Sequence, residues 1–133
     1  MARYLIDSHI FLWAIDTPKK LRAAERKILE DATIEVAVSV ASFWELSIKL
    51  VKGSLELTST KSTIPRDYFA REAEVTGFSI VSIGPAEAEY VRTLPRIHND
   101  PFDRLLISQA MLQDRIVITR DPVFADYPGL RTL

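Results

Sequence analysis

The sequence predicts a single α/β domain over residues 1–133, a three-layer α/β/α sandwich around a central, mainly parallel sheet. Short apolar segments rich in β-branched residues recur along the chain. Each is followed by a segment with the 3.6-residue periodicity of an amphipathic helix. Parallel neighbours in a sheet need long crossover connections, and helices provide them. With 133 residues, 47% of them hydrophobic, the chain is long enough to bury one core.

The first strand and the first helix meet at Asp7. Residues 4–6 are a short apolar segment, and apolar residues then recur at helical spacing over residues 10–14. A second helix is predicted over residues 20–31, where the apolar positions form one stripe and charged residues fill the other face. Pro18 is expected to help open that helix.

The middle of the chain repeats the order of strand and helix. Residues 34–39 alternate in polarity and are rich in β-branched residues, which predicts a strand. Ser42 and Glu45 then give the Ser-x-x-Glu pattern of a capping box, which predicts a helix start there. Gly53 is expected to end this helix, and residues 54–62 are polar and turn-like.

A further helix and strand follow in the second half. Pro65 suits the first turn of a helix that closes at Gly77, and residues 78–83 predict a strand. A short helix is predicted over residues 84–94, because a Gly-Pro pair opens it. A loop over residues 95–100 then leads into the last long helix.

The last helix and strand have clear boundaries. Asp100 at the N-cap and Pro101 at the first helical position mark the start of the helix. Residues 116–119 are an apolar strand that ends at a turn, and residues 130–133 are expected to add a short edge strand.

Composition and charge limit the classes of function. No apolar segment approaches the roughly 18 residues needed to cross a bilayer, and no signal peptide opens the chain, so a cytoplasmic protein without membrane contact is expected. With no cysteine and two histidines, any bound metal is expected to have oxygen ligands. A net charge of −1 gives no global attraction to nucleic acid, so such binding would need a local basic cluster or a cation.

Four acidic residues stand where a strand-like segment gives way to a helix or turn: Asp7, Glu45, Asp103 and Asp121. Each alone also fits a helix cap or first-turn position. Because ligands bind outside the carboxyl edge of a parallel sheet, one shared site is expected. Two carboxylates about 4 Å apart repel by on the order of 4 kcal/mol at an effective dielectric of about 20, so the cluster needs a cation or raised pKa values. Hard Mg²⁺ or Mn²⁺ is the expected partner.

The motifs that carry these acids are similar to those of a known family. They are Tyr-Leu-Ile-Asp-Ser-His at residues 4–9, Ser-Val-Ala-Ser-Phe-Trp-Glu-Leu at 39–46, His-Asn-Asp-Pro-Phe-Asp-Arg-Leu-Leu at 98–106 and Thr-Arg-Asp at 119–121. In type and order they resemble PIN-domain ribonucleases, in particular the VapC-type toxins of type II toxin–antitoxin pairs. The resemblance covers nearly the whole chain, and the third motif is the most specific.

The resemblance implies both a fold and an activity. It implies a PIN-like sandwich and a Mg²⁺-dependent endoribonuclease that cleaves single-stranded RNA as the toxin of a toxin–antitoxin pair. Asp7, Glu45 and Asp103 match the family's principal metal-site acids, and Asp121 matches a fourth, more variable one. The implied chemistry is metal-assisted phosphodiester hydrolysis with one or two ions.

Four further residues are secondary candidates for the site. Ser8 and Thr119 adjoin acids and could orient a carboxylate or a bound water. Arg104 belongs to the most specific motif and could meet a phosphate. Asp100 lies in the same motif, but its N-cap role is the favoured interpretation. Other basic candidates for phosphate contact are Arg120, Lys49 and Arg96, and His98 is left outside the catalytic set.

Partners and alternatives follow from the same resemblance. A cognate antitoxin is expected to bind a hydrophobic groove that Trp13 or Trp44 could line, and a homodimer is a family expectation. The main alternative is a non-catalytic PIN-fold module for RNA binding or protein interaction. A phosphotransferase with Asp7 as nucleophile is weakly supported, because His9 stands where that class carries a second aspartate. Related folds also use acid clusters to cut DNA or structured RNA.

Overall fold

Four parallel strands form the centre of the molecule in a computed structural model that describes residues 2–58 and 64–133. The strands are β1 (Arg3–Ile6), β2 (Glu35–Ser39), β3 (Ser79–Val81) and β4 (Ile116–Ile118). Their order across the sheet is β3-β2-β1-β4, and every neighbouring pair is parallel. The predicted three-layer α/β/α architecture is confirmed.

Six α-helices are found in the described part of the chain. They are α1 (Ser8–Asp16), α2 (Ala23–Leu29), α3 (Val40–Lys52), α4 (Tyr68–Thr76), α5 (Pro85–Tyr90) and α6 (Pro101–Gln113). Short 3₁₀ turns lie at Pro18–Lys20, Val91–Thr93 and Pro122–Asp126. None of the helices described here has the length and apolar character needed to cross a membrane.

The register of the sheet divides its apolar side chains between two cores. Leu5 pairs with Ala37 and Val117, and all three are buried in a core that α6 covers. The next residue of each strand faces the other side, where α1, α3 and α4 pack: Ile6, Val38 and Ile118. This period-2 alternation places helices on both faces.

The start of α3 differs from the prediction. The helix begins at Val40, because Ser39 at the end of β2 is the N-cap and its hydroxyl accepts from the N–H of Ala41 at 3.0 Å. The predicted capping box of Ser42 and Glu45 is therefore wrong, since both residues lie inside the helix. This shift frees the Glu45 carboxylate from any capping role.

The second predicted helix is shorter than expected. Pro18–Lys20 forms its own 3₁₀ turn and Leu21 is extended, with φ −72° and ψ 140°. Helix α2 starts at Ala23, because the carboxylate of Glu25 accepts from the N–H of Arg22 at 2.7 Å and satisfies the helix start there.

The remaining boundaries move by a few residues. Helix α4 starts at Tyr68 instead of Pro65, and the predicted helix over 84–94 ends in a 3₁₀ turn, the usual way a last turn tightens. Residues 130–133 contribute one parallel bridge, between Thr132 and Val117, instead of a full strand. Of the predicted turn-like segment 54–62, residues 59–62 lie outside the described part.

Candidate active site

Asp7 stands at the carboxyl end of β1, the strand between β2 and β4. Its N–H continues the ladder to the carbonyl of Ile118 at 3.2 Å. One carboxylate oxygen caps α1 by accepting from the N–H of Ile10 at 2.9 Å, and the other accepts from the Thr119 hydroxyl at 2.6 Å. The residue is only 5% exposed. Asp7 therefore has a capping role and a fixed, nearly buried carboxylate at the sheet edge.

Glu45 approaches the same edge from α3. Its Oε1 accepts from the Ser8 hydroxyl at 2.5 Å, and its Oε2 lies 3.1 Å from the ammonium of Lys49. The Ser8 hydroxyl also lies within 3.0 Å of the Ser42 hydroxyl, so one hydroxyl links α1 to α3. The carboxylate is held by partners on two helices, at 8% exposure for the residue as a whole.

Asp103 lies in the first turn of α6 at the end of a hydrogen-bonded chain. Its carboxylate is 3.2 Å from Nε2 of His98, whose Nδ1 is 2.6 Å from the Tyr127 hydroxyl. Arg104 donates to that hydroxyl oxygen at 3.0 Å. The imidazole of His98 therefore bridges the Tyr127 hydroxyl and the Asp103 carboxylate. His98 thereby orients the Asp103 carboxylate.

The three carboxylates influence one another electrostatically. Burial raises the pKa of Asp7, against the lowering effect of its hydrogen bonds from Thr119 and Ile10, and the Glu45 charge adds to the rise. Burial, together with the charges of Asp100 and Glu45, raises the pKa of Asp103 to about 6, against the lowering effect of the hydrogen bond from His98. Glu45 thus acts on both aspartates. Asp7 follows β1, Glu45 lies on α3 and Asp103 on α6, and the three elements place Glu45 near enough to affect both aspartates.

The acids are gathered loosely. Within residues 2–58 and 64–133, no three histidine, aspartate or glutamate side chains are close enough together to hold a metal ion. The contacts give the physical reason, because Ser8 and Lys49 hold Glu45 and His98 holds Asp103. Each charge is met by its own neighbours, which lowers the repulsion that crowded carboxylates would suffer.

Asp121 occupies the periphery of the edge. It is exposed, and its carboxylate caps the following 3₁₀ turn by accepting from the N–H of Val123 at 3.0 Å. Its own N–H donates to the Thr119 hydroxyl oxygen at 3.0 Å, and that hydroxyl donates to Asp7. Thr119 is therefore the link between Asp121 and Asp7.

The other candidates have defined contacts. Asp100 caps α6 by accepting from the N–H of Asp103 at 2.9 Å, which confirms its N-cap role. Arg104 donates to backbone carbonyls as well as to Tyr127, so its guanidinium is held within the protein. Lys49 pairs with Glu45. Trp44 is 61% exposed and its ring meets Phe102 edge-on at 5.1 Å, which joins α3 to α6 beside the acids.

Arg120 braces the end of β4 instead of facing open solvent. Its guanidinium donates to both carboxylate oxygens of Glu25, at 3.0 and 2.6 Å, and also to the carbonyl of Lys20. It lies 4.4 Å from the centroid of the Trp13 ring. Because Thr119 precedes Arg120, this brace fixes the hydroxyl that holds Asp7.

Glu25→Gln should destabilise the fold by about 1–3 kcal/mol at pH 7, because it weakens charge-assisted hydrogen bonds to a half-buried arginine. Hydrogen bonding by Arg120 lowers the pKa of Glu25, so its contribution is present above the unfolded value of 4.5 and is lost as pH falls through the lower folded value. Urea denaturation of both proteins at pH 7 and at pH 3.5 checks this difference.

Glu30→Gln is the matched control for that prediction. Glu30 pairs with Arg26 at 3.5 Å within one helix turn, and its side chain is 70% exposed. Its loss should cost about 0.5 kcal/mol or less. Equal urea midpoints for the Glu25 and Glu30 variants would contradict a structural role for the Arg120 brace.

Sequence patterns did not indicate two residues of this region. Tyr127 is buried and joins His98 to Arg104 through its hydroxyl, but no local motif surrounds it. Arg92 lines a cleft with Arg96 and His98. In the sequence, its place is marked by the spacing of Arg92 and Arg96, which are four residues apart with Pro95 between them.

The chain has the parallel α/β/α class of fold, in which ligands bind outside the carboxyl edge of the sheet. Within that class the chain belongs to the PIN domain family, whose model matches residues 4–130. PIN domains are generally nucleases. No curated protein sequence matches the chain.

Solved structures share the fold. VapBC2 from Rickettsia felis bound to a DNA fragment from its promoter has a TM-score of 0.70 at 16% identity, covering 98% of this chain and 96% of that one. DNA-bound VapBC from Salmonella typhimurium has a TM-score of 0.66 at 16% identity, with 100% and 98% covered. A toxin–antitoxin complex from Klebsiella pneumoniae has a TM-score of 0.61 at 22% identity, with 96% and 94% covered.

Proposed function

We propose that this protein is a Mg²⁺-dependent endoribonuclease that cleaves single-stranded RNA and acts as the toxin of a toxin–antitoxin pair. The observation that carries the proposal is the position of Asp7, Glu45 and Asp103 near the carboxyl edge of the sheet, where burial raises the pKa of both aspartates and the Glu45 charge adds to the rise. Membership of the PIN domain family supports nuclease chemistry. The toxin–antitoxin complexes among similar folds support the biological setting.

The chemistry of the donor set fits a hard divalent cation. The candidate ligands are all carboxylates, Asp7, Glu45, Asp103 and the peripheral Asp121, and burial raises the pKa of Asp7 and Asp103, so a cation beside them would favour their ionised forms. Mg²⁺ or Mn²⁺ held there would supply positive charge that activates water and stabilises a phosphate. The side chains would have to close around it, because no three of the described acids are grouped tightly enough as they stand.

The protein's own residues supply orientation for this chemistry. Thr119 and the N–H of Ile10 hold the two oxygens of Asp7, so its carboxylate keeps one direction. Ser8 and His98 do the same for Glu45 and Asp103. These hydrogen bonds fix the direction of each carboxylate, and the movement that a cation would still require is the approach of the acids to one another. Because these carboxylates are largely shielded from bulk water, their electrostatic interactions with a bound cation would be stronger than in solvent.

Cleavage of labelled single-stranded RNA tests the activity directly. Purified protein is incubated with Mg²⁺, with Mn²⁺ and with EDTA, and the products are separated on a denaturing gel. Cleavage that needs the cation supports the proposal. Intact RNA in all three conditions, with the protein folded and the RNA drawn from total cellular RNA, would contradict it.

The loose spacing of the acids favours a second candidate, a non-catalytic PIN-fold module that binds RNA or protein. In that case Lys49 and His98 would be permanent partners of Glu45 and Asp103. Cation titration separates the two candidates. A module would show the same thermal stability with and without Mg²⁺, whereas a metal site is stabilised by its ion.

We propose a cognate antitoxin as the partner, and the exposed side of α3 as the surface that it binds. Trp44, Ile48 and Val51 lie at helical spacing, and Val51 is 89% exposed. Ile48 and Val51 also line an open pocket of about 310 Å³. Similar folds occur in complexes with antitoxins, which favours an apolar segment of such a partner over a second copy of this chain.

Val51→Asp should weaken antitoxin binding by about tenfold or more, because a charge would enter an apolar contact. Val75→Asp is the matched control, since Val75 is 83% exposed on α4. Calorimetric titration with the antitoxin encoded beside this gene measures both. Unchanged affinity in the Val51 variant would remove this face from the interface, and a change in dimerisation alone would assign it to self-association.

A further inference from the structure

A basic cleft of about 350 Å³ opens between the 3₁₀ turn after α5 and the start of α6. Three arginines, a histidine and an asparagine line it: Arg92, Arg96, Arg104, His98 and Asn99. The whole protein has a net charge of −1, so this cleft is a local concentration of positive charge. Because the net charge is slightly negative, the protein can attract a polyanion only through a local positive cluster of this kind or a bound cation.

Arg104 holds the backbone of the cleft in place, whereas the side chains of Arg92 and Arg96 are exposed and can bind a ligand. Arg104 donates to the carbonyl of Pro95 at 2.8 Å and to those of Val91 and Leu94 at 3.2 and 3.3 Å. It thereby clamps the backbone that carries Arg92 and Arg96. Both of these side chains are exposed, and no other described residue gives either guanidinium an ion pair or hydrogen bond.

The cleft adjoins the candidate active site. His98 lines it and lies 3.2 Å from the Asp103 carboxylate through Nε2. A polymer of regularly spaced phosphates that has one phosphate beside Asp103 would therefore place its next phosphates in the cleft. Among the described residues, neither Phe, Tyr nor Trp lines the cleft, so no broad ring is there for a base to stack on. The guanidinium groups of Arg92 and Arg96 can each donate two hydrogen bonds to phosphate oxygens, so the cleft suits phosphates better than bases.

We infer that the cleft of Arg92 and Arg96 binds backbone phosphates of the RNA strand next to the bond that is cut. The inference rests on the proposed function and adds a binding site to it. The contacts are to phosphate, so they fix the path of the strand and carry no sequence preference. Asn99 adds a neutral donor at the same place.

Binding of a fluorescein-labelled single-stranded oligonucleotide RNA, followed by anisotropy over a series of KCl concentrations, tests the site. The Asp7→Asn background keeps the RNA intact. Arg92→Ala/Arg96→Ala should raise Kd by about tenfold or more and reduce the slope of log Kd against log salt by about 1.4, or about 0.7 for each phosphate no longer neutralised. Arg92→Lys/Arg96→Lys should keep most of that slope, because the charges remain.

The matched control removes two charges elsewhere. Lys27→Ala/Arg71→Ala changes exposed residues of α2 and α4 outside the cleft, and should leave the salt slope nearly unchanged. Equal affinity and slope in the cleft and control variants would overturn the inference, as would no RNA binding by the background protein. A decaglutamate peptide that binds more tightly than RNA and needs the same arginines would overturn it too, and would assign the cleft to an acidic protein segment.

This experiment separates the site from the activity. RNA binding that depends on Arg92 and Arg96, in a wild-type protein that cleaves no RNA with any cation, leaves the cleft as an RNA site and contradicts the nuclease. Cation-dependent cleavage that is unaffected by the double substitution, at RNA concentrations below Kd, contradicts the cleft alone.

Discussion

Asp7→Asn is expected to reduce RNA cleavage by at least about 10²-fold, the size of effect that follows from removing one electrostatic group of a catalytic site. Asp7 is the most buried of the three acids and lies at the end of a central strand. The two groups that hydrogen-bond to its carboxylate, the Thr119 hydroxyl and the N–H of Ile10, are both neutral. The substitution therefore removes charge and leaves the shape in place.

The same variant should be at least as stable as the wild type when no cation is present. Burial raises the pKa of Asp7, which means that its ionised form destabilises the folded state near pH 7. The oxygen of the substituted amide can accept from the N–H of Ile10, and its nitrogen can donate to the Thr119 hydroxyl. Loss of cleavage with no loss of thermal stability in EDTA distinguishes a functional acid from a structural cap.

Asp67→Asn is the control for that pair of measurements. Asp67 is an exposed acid next to α4, paired with Arg71 at 3.5 Å. Its substitution should leave cleavage unchanged and alter stability by less than about 1 kcal/mol. Cation-dependent cleavage that survives Asp7→Asn would exclude Asp7 from the site.

The second large effect is on stability as a function of pH and Mg²⁺. The pKa of Asp103 is raised from 3.8 to about 6, so the folded state binds its proton more tightly than the unfolded state does. In EDTA, this group's contribution to stability is complete below about pH 4, falls as pH rises from about 4 to about 6, and is constant above that. Thermal unfolding in EDTA across this range measures the slope.

Mg²⁺ should reverse that trend, because cation and proton compete for the same carboxylate. Above about pH 6, a free concentration of about 100 times Kd should add about 2.7 kcal/mol of stability, or on the order of 10 °C in Tm. Below about pH 5 the added stability should shrink. The comparison of Mg²⁺ with EDTA at each pH isolates this effect from the titration of other groups.

Asp103→Asn provides the matched comparison. The variant should show a smaller EDTA slope between about pH 4 and about pH 6, because the part due to Asp103 is gone, and should lose most of the Mg²⁺ stabilisation. Its RNA cleavage should fall by at least about 10²-fold. An unchanged Mg²⁺ effect on the Tm of this variant would remove Asp103 from the proposed ligands. If Mg²⁺ leaves the Tm of the wild type unchanged as well, the non-catalytic module is favoured.

The sequence alone determined the order of strands and helices and the class of sheet. The alternation of β-branched segments with helical periodicity was enough, because each element buries one face and its period shows in the residues. Gly53 and Gly77 end helices as predicted, since both adopt positive φ, at 73° and 91°, which glycine tolerates. The N-cap of Asp100 followed from the same local chemistry.

Local chemistry failed where two signals competed. Ser42 and Glu45 fit a capping box as well as any pair in the chain, yet Ser39 caps α3 because β2 runs directly into the helix. Pro18 and Pro65 each predicted the start of a helix that begins several residues later. A cap can be formed by any suitable side chain in the neighbourhood, so tertiary packing selects which one is used.

The candidate acids were predictable from their position after each strand, but their partners were not. Ser8 and Glu45 are 37 residues apart and Thr119 and Asp7 are 112 apart, and only the folded chain brings them together. The same holds for the clamp by which Arg104 presents the arginines of the basic cleft. Periodicity and capping act over a few residues, so sequence determined the elements and the acids, whereas long-range contacts set their orientation, charge and neighbours.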